Sequence, residues 1–190
     1  MTDKSPARER LLNAAAELFY TDGVGATGID TITARAGVAK MSLYNNFSSK
    51  GDLVNAYILG RLAEWQGLYQ ERLAMASTPK ERVLAVFDSY TDHAALAYGW
   101  GFRGCGLLNA AAELPVGDPG RASVAFQKEE AERLFYAHLL DLGLAGEKAA
   151  DLAEHLSFVL EGAMARAGLE GHDGRLIAAR RIAVSMLENL

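Results

Sequence analysis

Residues 27–53 read TGIDTITARAGVAKMSLYNNFSSKGDL. Thr27 and Asp30 have the Ser/Thr-x-x-Asp/Glu spacing of a capping box, and Ile29, Ile32 and Ala36 recur at the i, i+3, i+7 spacing of one helical face. Gly37 is placed to end this helix, since glycine enters the left-handed conformation at little cost, and Val38 is expected to plug the turn from inside. A second helix of about two turns is predicted over Lys40 to Asn46. Leu43 and Phe47 lie four apart on its inner side, which leaves Lys40, Met41, Ser42, Tyr44 and Asn45 pointing out.

A helix with so small an inner face and so polar an outer one suits a DNA groove. Reading a duplex takes cations for phosphates, donors and acceptors for base edges, and apolar contact for thymine methyls. Residues 40–45 supply all of these. Lys40 and Lys50 bracket the helix as phosphate partners, joined by the Tyr44 hydroxyl, and Thr27, at the start of the preceding helix, is a further expected DNA contact. Met41, Ser42 and Asn45 are the base readers. Spacing alone leaves an ordinary helix pair in an all-helical protein as open as a DNA reader.

Beyond spacing, the run AGVAKMSLYNNFSSKGDL resembles the TetR family of transcriptional regulators (tetracycline-repressor type). Ala36, Gly37, Val38, Leu43, Tyr44, Phe47, Lys50 and Leu53 sit at that family's positions, and Leu18, Phe19 and Gly23 fit its first helix. Ala39, Asn46 and Gly51 depart from it, where Ser or Thr, His and an acidic residue are common. The first departure weakens a cap and the second bears on a phosphate contact. The resemblance implies an all-α protein with a three-helix helix-turn-helix head over residues 1–48. A long helix would join it to a helical ligand-binding and dimerisation domain over 49–190, with about nine helices in all.

The 190 residues are half hydrophobic, with four prolines and one cysteine, which argues for an ordered chain with a real core and against an internal disulfide. No apolar run approaches the roughly 20 residues of a membrane span, and MTDKSPARER lacks the apolar stretch of a signal peptide, so a cytoplasmic protein is expected. The net charge of −5 is unevenly spread. Residues 1–50 hold six Lys or Arg against five Asp or Glu, whereas residues 51–190 hold 13 against 19. Phosphate affinity must therefore come from a few placed cations and helix N-termini, with moderate salt dependence.

Downstream, Ser5-Pro6 marks the start of the first helix, and Ser49 with Asp52 opens a long helix to Ala76, about 40 Å in length. Thr78-Pro79-Lys80-Glu81 combines a cap, an N1 proline and a box acid, and starts a helix to about Tyr98. Gly99 to Gly104 formally matches G-x-G-x-x-G, but it follows a helix and not a strand, so a dinucleotide site is rejected. Helices over 105–113, 118–142, 147–168 and 173–189 complete the reading. The last two carry stripes of Leu152, Leu156, Val159 and Ala163, and of Ile177, Ile182 and Met186, with small and apolar residues on further sides. A homodimer through a bundle of helices 147–168 and 173–189 with their copies is expected, as in TetR-type proteins.

The four histidines lack metal-ligand spacing, and no G-x-S-x-G or Walker loop occurs, so neither an enzyme nor a metal or cofactor is expected. Aromatic residues exceed polar anchors in the larger domain: Trp65, Tyr69, Phe87, Tyr90, Trp100, Phe102, Phe126, Phe135 and Phe158. Helix-lined apolar cavities with few polar groups are how small-molecule sites are built, and core packing is the competing reading for each ring. The resemblance makes this the inducer pocket, with Tyr90, His93, Asn109, Glu113 or Glu161 as polar anchors. Cys105, without an evident partner thiol, is expected in its wall as a buried inert thiol, with a redox sensor as the alternative reading. The expected function is a ligand-responsive regulator, a repressor that binds a palindromic operator in double-stranded DNA as a dimer and is released by a small apolar or amphipathic effector. The alternative is a dimeric helical small-molecule-binding protein without sequence-specific DNA binding.

Overall fold

The computed structural model describes residues 6–96 and 101–190. The expected Ser5 cap, the Tyr98 helix end, Trp100 and the start of the glycine motif lie outside the described residues. Within them the chain is all-α, as expected, with nine helices and no strand. These are α1 (Ala7–Thr21), α2 (Ile29–Ala36), α3 (Lys40–Asn46), α4 (Lys50–Met75) and α5 (Pro79–Leu96), then α6 (Gly106–Glu113), α7 (Pro119–Asp141), α8 (Gly146–Glu170) and α9 (Gly174–Glu188).

Helix ends follow local chemistry. Ser49 Oγ accepts the Asp52 N–H at 3.0 Å while the Asp52 carboxylate takes the Ser48 N–H at 3.1 Å. Thr78 Oγ1 accepts the Glu81 N–H at 3.2 Å, and Glu81 returns to the Thr78 N–H at 2.9 Å, a complete capping box. Gly37, at φ +62°, ends α2, with the Val38 N–H on the Thr33 carbonyl. The box predicted at Thr27 and Asp30 does not form. Gly28 is the N-cap of α2, and Thr27 Oγ1 donates instead to the carbonyls of Gly23 at 2.6 Å and Leu18 at 3.2 Å. The Leu18 carbonyl already accepts the Asp22 N–H at 2.9 Å, so the buried Thr27 hydroxyl adds a second bond there and satisfies the Gly23 carbonyl just beyond the end of α1.

The helices group into two compact units, Met1–Arg61 with Gly106–Val124, and Leu62–Cys105 with Ala125–Leu190. The division differs from the boundary expected after residue 48, because the start of α4 and all of α6 pack with the head. In this first unit Leu11, Phe19, Ile32, Leu43, Phe47, Leu53 and Ile58 are buried together, each side chain contributing about 1.5–3 kcal/mol of burial. The Phe19 and Tyr57 rings meet edge to face at 5.6 Å. Gly106 seats α6 so closely that a Cβ there would come 2.8 Å from Tyr57 Oη and 3.1 Å from the Tyr20 ring.

The second unit is built on a core that includes Trp65, Phe87, Phe135, Leu139, Leu156, Leu160 and Leu176. The inward stripe of α8 is Ala149, Ala153, Leu156, Leu160, Met164 and Ala167, and that of α9 is Leu176, Ala179, Ala183 and Leu187. Of the predicted stripes Leu156 is fully buried as expected, but the rest lie a rotation away: Leu152, Val159, Ala163 and Met186 are half-buried, and Ile177 and Ile182 are exposed. Alanines occupy the seam because α8 and α9 pack closely against each other, which leaves the larger side chains outside. Phe158 is likewise exposed and not part of the core. Arg180 on α9 clamps Asp88 on α5 with bonds of 2.6 and 3.1 Å, a charge-assisted fork between the two helices.

Candidate nucleic-acid interface and effector site

The outward side of α3 is created by what its inward side buries. Leu43 is 0 % exposed and Phe47, just after the helix, is buried beneath the Arg8 guanidinium, 5.2 Å from its ring centroid. Met41 is 69 % exposed, Tyr44 48 %, and Lys40 and Asn45 are exposed beside them; Ser42 and Lys50 are half-buried. Arg10 Nη1 reaches from α1 to the carbonyls of Ala36 at 3.4 Å and Gly37 at 3.3 Å, so it grips the turn just ahead of α3. Arg8, itself exposed, and Arg10, half-buried, are thus both engaged with other parts of the head.

Two further side chains depart from the sequence reading. Thr27 is 2 % exposed, and with its hydroxyl on two carbonyls its side chain cannot meet a phosphate, which corrects its placement among the DNA contacts. Lys40 Nζ lies 2.8 Å from Asp30 Oδ1, and the hydrogen bond and charge of Asp30 raise its pKa above the ordinary lysine value. Both partners are exposed, so the pair is weak and a phosphate can compete for the ammonium.

The second unit holds most of the residues expected at the effector. Trp65 stacks on Tyr69 at 6.0 Å and meets Tyr90 edge-on at 5.9 Å, and Phe87 packs on Phe135 at 5.3 Å. His93 Nε2 lies 3.3 Å from Glu64 Oε2, and Phe102 and Cys105 are half-buried against the same core. Tyr90 is the centre of a polar set: its hydroxyl donates to Glu161 Oε1 at 3.2 Å and accepts from Gln127 Nε2 at 3.1 Å and Lys128 Nζ at 3.4 Å. Lys128 Nζ also sits 2.9 Å from Glu161 Oε1 and 3.7 Å from Cys105 Sγ. Burial works against the Lys128 ammonium, yet attraction to Cys105, Tyr90 and Glu161 holds its pKa above the ordinary value. Burial pushes the Tyr90 phenol up as well, against the pull of Lys128.

Gln127 and Lys128 were not foreseen. The run QKEEAER looks solvated, but Ala131, Phe135 and Leu139 are buried at four-residue steps, and one more turn back falls on Gln127 and Lys128. Besides the exposed Phe158, three expected lining residues are elsewhere. Phe126 is 57 % exposed with the Arg133 guanidinium 4.9 Å over its ring. Asn109 belongs to α6 in the first unit, and so does Glu113, whose carboxylate binds the main chain of the head. An open cleft of about 770 Å³ in the second unit, lined by Lys80, Leu144, Lys148, Leu152, His155 and Leu187 among others, contains none of the expected effector residues.

Residues 11–57 match the family model of bacterial regulatory proteins of the tetR family. A Streptomyces coelicolor structure, SCO4454, described as a TetR-family transcriptional regulator, superposes with a TM-score of 0.87 at 28% identity, covering 96% of this chain and 95% of that one. A Streptomyces avermitilis structure, sav143, described as a tetR-type transcriptional regulator, is 30% identical over 96% of this chain and 98% of that one, with a TM-score of 0.73. The chain belongs to the TetR family. Among curated relatives, the HTH-type transcriptional repressor KstR2 of Mycolicibacterium smegmatis is 36% identical over 89 residues, 45% of this chain. The match spans 43% of that repressor, less than half its length. As a TetR protein the chain carries the family's helix-turn-helix in α2 and α3, and no helix among its described residues is long and apolar enough to cross a membrane.

Proposed function

We propose that this TetR protein is a ligand-responsive repressor that acts in the cytoplasm as a homodimer on a palindromic operator. The observation that carries the reading is the two-sidedness of α3, with Leu43 and Phe47 buried and Met41, Tyr44 and Asn45 exposed. Each head lays residues 40–45 in a major groove, with Lys40, Tyr44 and Lys50 on phosphates and Met41, Ser42 and Asn45 at base edges. The dimer forms through the outer faces of α8 and α9, where Phe158, Leu169, Ile177 and Ile182 are exposed and apolar. DNA reading belongs to residues 1–48 and effector binding and dimerisation to 49–190, with Trp65, Tyr69, Phe87, Tyr90, His93, Phe102, Cys105 and Glu161 around a small apolar or amphipathic effector.

An effector that favours a different tilt of α4 changes the spacing of the two heads and releases DNA. Selection of bound duplexes from a random pool identifies the operator, and distances between spin labels on the two heads test the coupling. Release without a change in that distance overturns it. The rival reading, a dimeric binding protein without sequence-specific DNA affinity, draws on the Lys40–Asp30 pair, which ties up a cation of a weakly basic head. Recovery of no preferred sequence from the pool favours the rival.

A further inference from the structure

Three polar atoms close to the Tyr90 hydroxyl or its ring are buried with no hydrogen-bond partner among the described residues: Trp65 Nε1, Gln127 Oε1 and Glu161 Oε2. Trp65 and Gln127 are among the best buried side chains of the unit, at 2 % and 3 % exposure. Gln127 Oε1 and Glu161 Oε2 are each one amide or carboxylate width from an atom already bonded to Tyr90 Oη. A bare acceptor in such surroundings is a standing penalty that a bound donor removes.

We propose that this cluster recognises an uncharged hydroxyl compound carried on an aromatic or alicyclic body. The inference rests on the effector reading above and narrows it to a chemical class. Two of the open atoms accept and one donates, and a hydroxyl group both donates and accepts. Charge points the same way. Lys128 and Glu161 already neutralise each other at 2.9 Å, so a carboxylate would bring an unpaired charge up to two open acceptors. An ammonium would compete with Lys128 for the same carboxylate. The Trp65, Tyr69 and Tyr90 rings supply an apolar wall for the body of the molecule.

Titration calorimetry of the full chain with 1-naphthol, cyclohexanol, 1-naphthoate and naphthalene tests the class. 1-Naphthol is expected to bind about tenfold or more tighter than naphthoate or naphthalene, and Gln127→Leu to remove about tenfold of that affinity. Tyr90→Phe serves as a second variant, with thermal melting to confirm that each is folded. Naphthoate binding as tightly as naphthol, naphthol binding no tighter than naphthalene, neither hydroxyl compound binding, or unchanged naphthol affinity in both folded variants overturns the proposal. Operator release by a metabolite mixture while both hydroxyl probes stay inert overturns the hydroxyl class and leaves the effector reading intact. Naphthol binding that requires Gln127 but leaves operator affinity unchanged supports the site and overturns the effector reading.

Discussion

The Glu113 carboxylate, at the end of α6, accepts the main-chain N–H of Gly25 at 2.6 Å, with the Val24 N–H on its other oxygen at 3.0 Å. Those two donors belong to the connection between α1 and α2, so α6 holds the entry to the helix-turn-helix. Glu113→Ala leaves both without this partner and should cost about 1.5 kcal/mol, the low end for a bond to a charged group because Glu113 itself is exposed. Thermal melting checks the stability, and a several-fold loss of operator affinity with the α3 surface unaltered would mark Glu113 as a positioning residue.

Leu43 is the buried anchor of α3, and its truncation should act on both folding and DNA binding. Leu43→Ala is expected to destabilise by about 2–5 kcal/mol, read as a fall in the urea midpoint. Asn45→Ala, on the exposed side, should leave that midpoint unchanged while costing about 1–3 kcal/mol of preference for operator over random DNA. Lys40→Ala and Lys50→Ala should weaken binding to all sequences and lower the salt slope by about one each.

Tyr69 Oη and His138 Nε2 share a buried hydrogen bond of 2.7 Å. Burial, helped by Arg82, holds the His138 pKa below its ordinary 6.5, and burial raises the Tyr69 phenol to about 12. Below pH 6.5 the unfolded chain binds a proton that the folded chain resists, so stability falls as pH drops from 6.5 towards the folded value and is restored on returning above it. Urea midpoints should decline over that window in the wild type, and His138→Gln, which keeps a polar partner for Tyr69 but does not titrate, should flatten the decline.

Phe158 and Leu169 on α8, and Ile177 and Ile182 on α9, are large apolar side chains left exposed. Ile182→Asp places a charge on the proposed dimer face and should weaken self-association at least about thirty-fold, as expected for a central contact. Sedimentation velocity reads the change, and unaltered melting of the monomer separates it from misfolding. A variant that still dimerises would remove this face from the interface.

Much of the fold is legible in the chain because it rests on neighbours in sequence. The Thr78 to Glu81 box, the left-handed Gly37 and the i, i+4 pair Leu43 and Phe47 each involve residues within one turn, and each forms as read. The same locality lets residues 36–53 carry the TetR resemblance, and they lie within the 11–57 that the family model matches.

What tertiary structure decided is the use of polar groups whose partners are remote in sequence. Thr27 turns from a cap to the carbonyls of Leu18 and Gly23, Glu113 leaves the expected pocket to hold residues 24 and 25, and Lys128 leaves a charged run to meet Tyr90 and Glu161, 38 and 33 positions away. Helical periodicity fixes which residues share a face but not which face finds a neighbour, and that choice also turned Ile177 and Ile182 outward. Burial of apolar area selects the packing, and each polar side chain then takes the nearest complementary atom that packing provides.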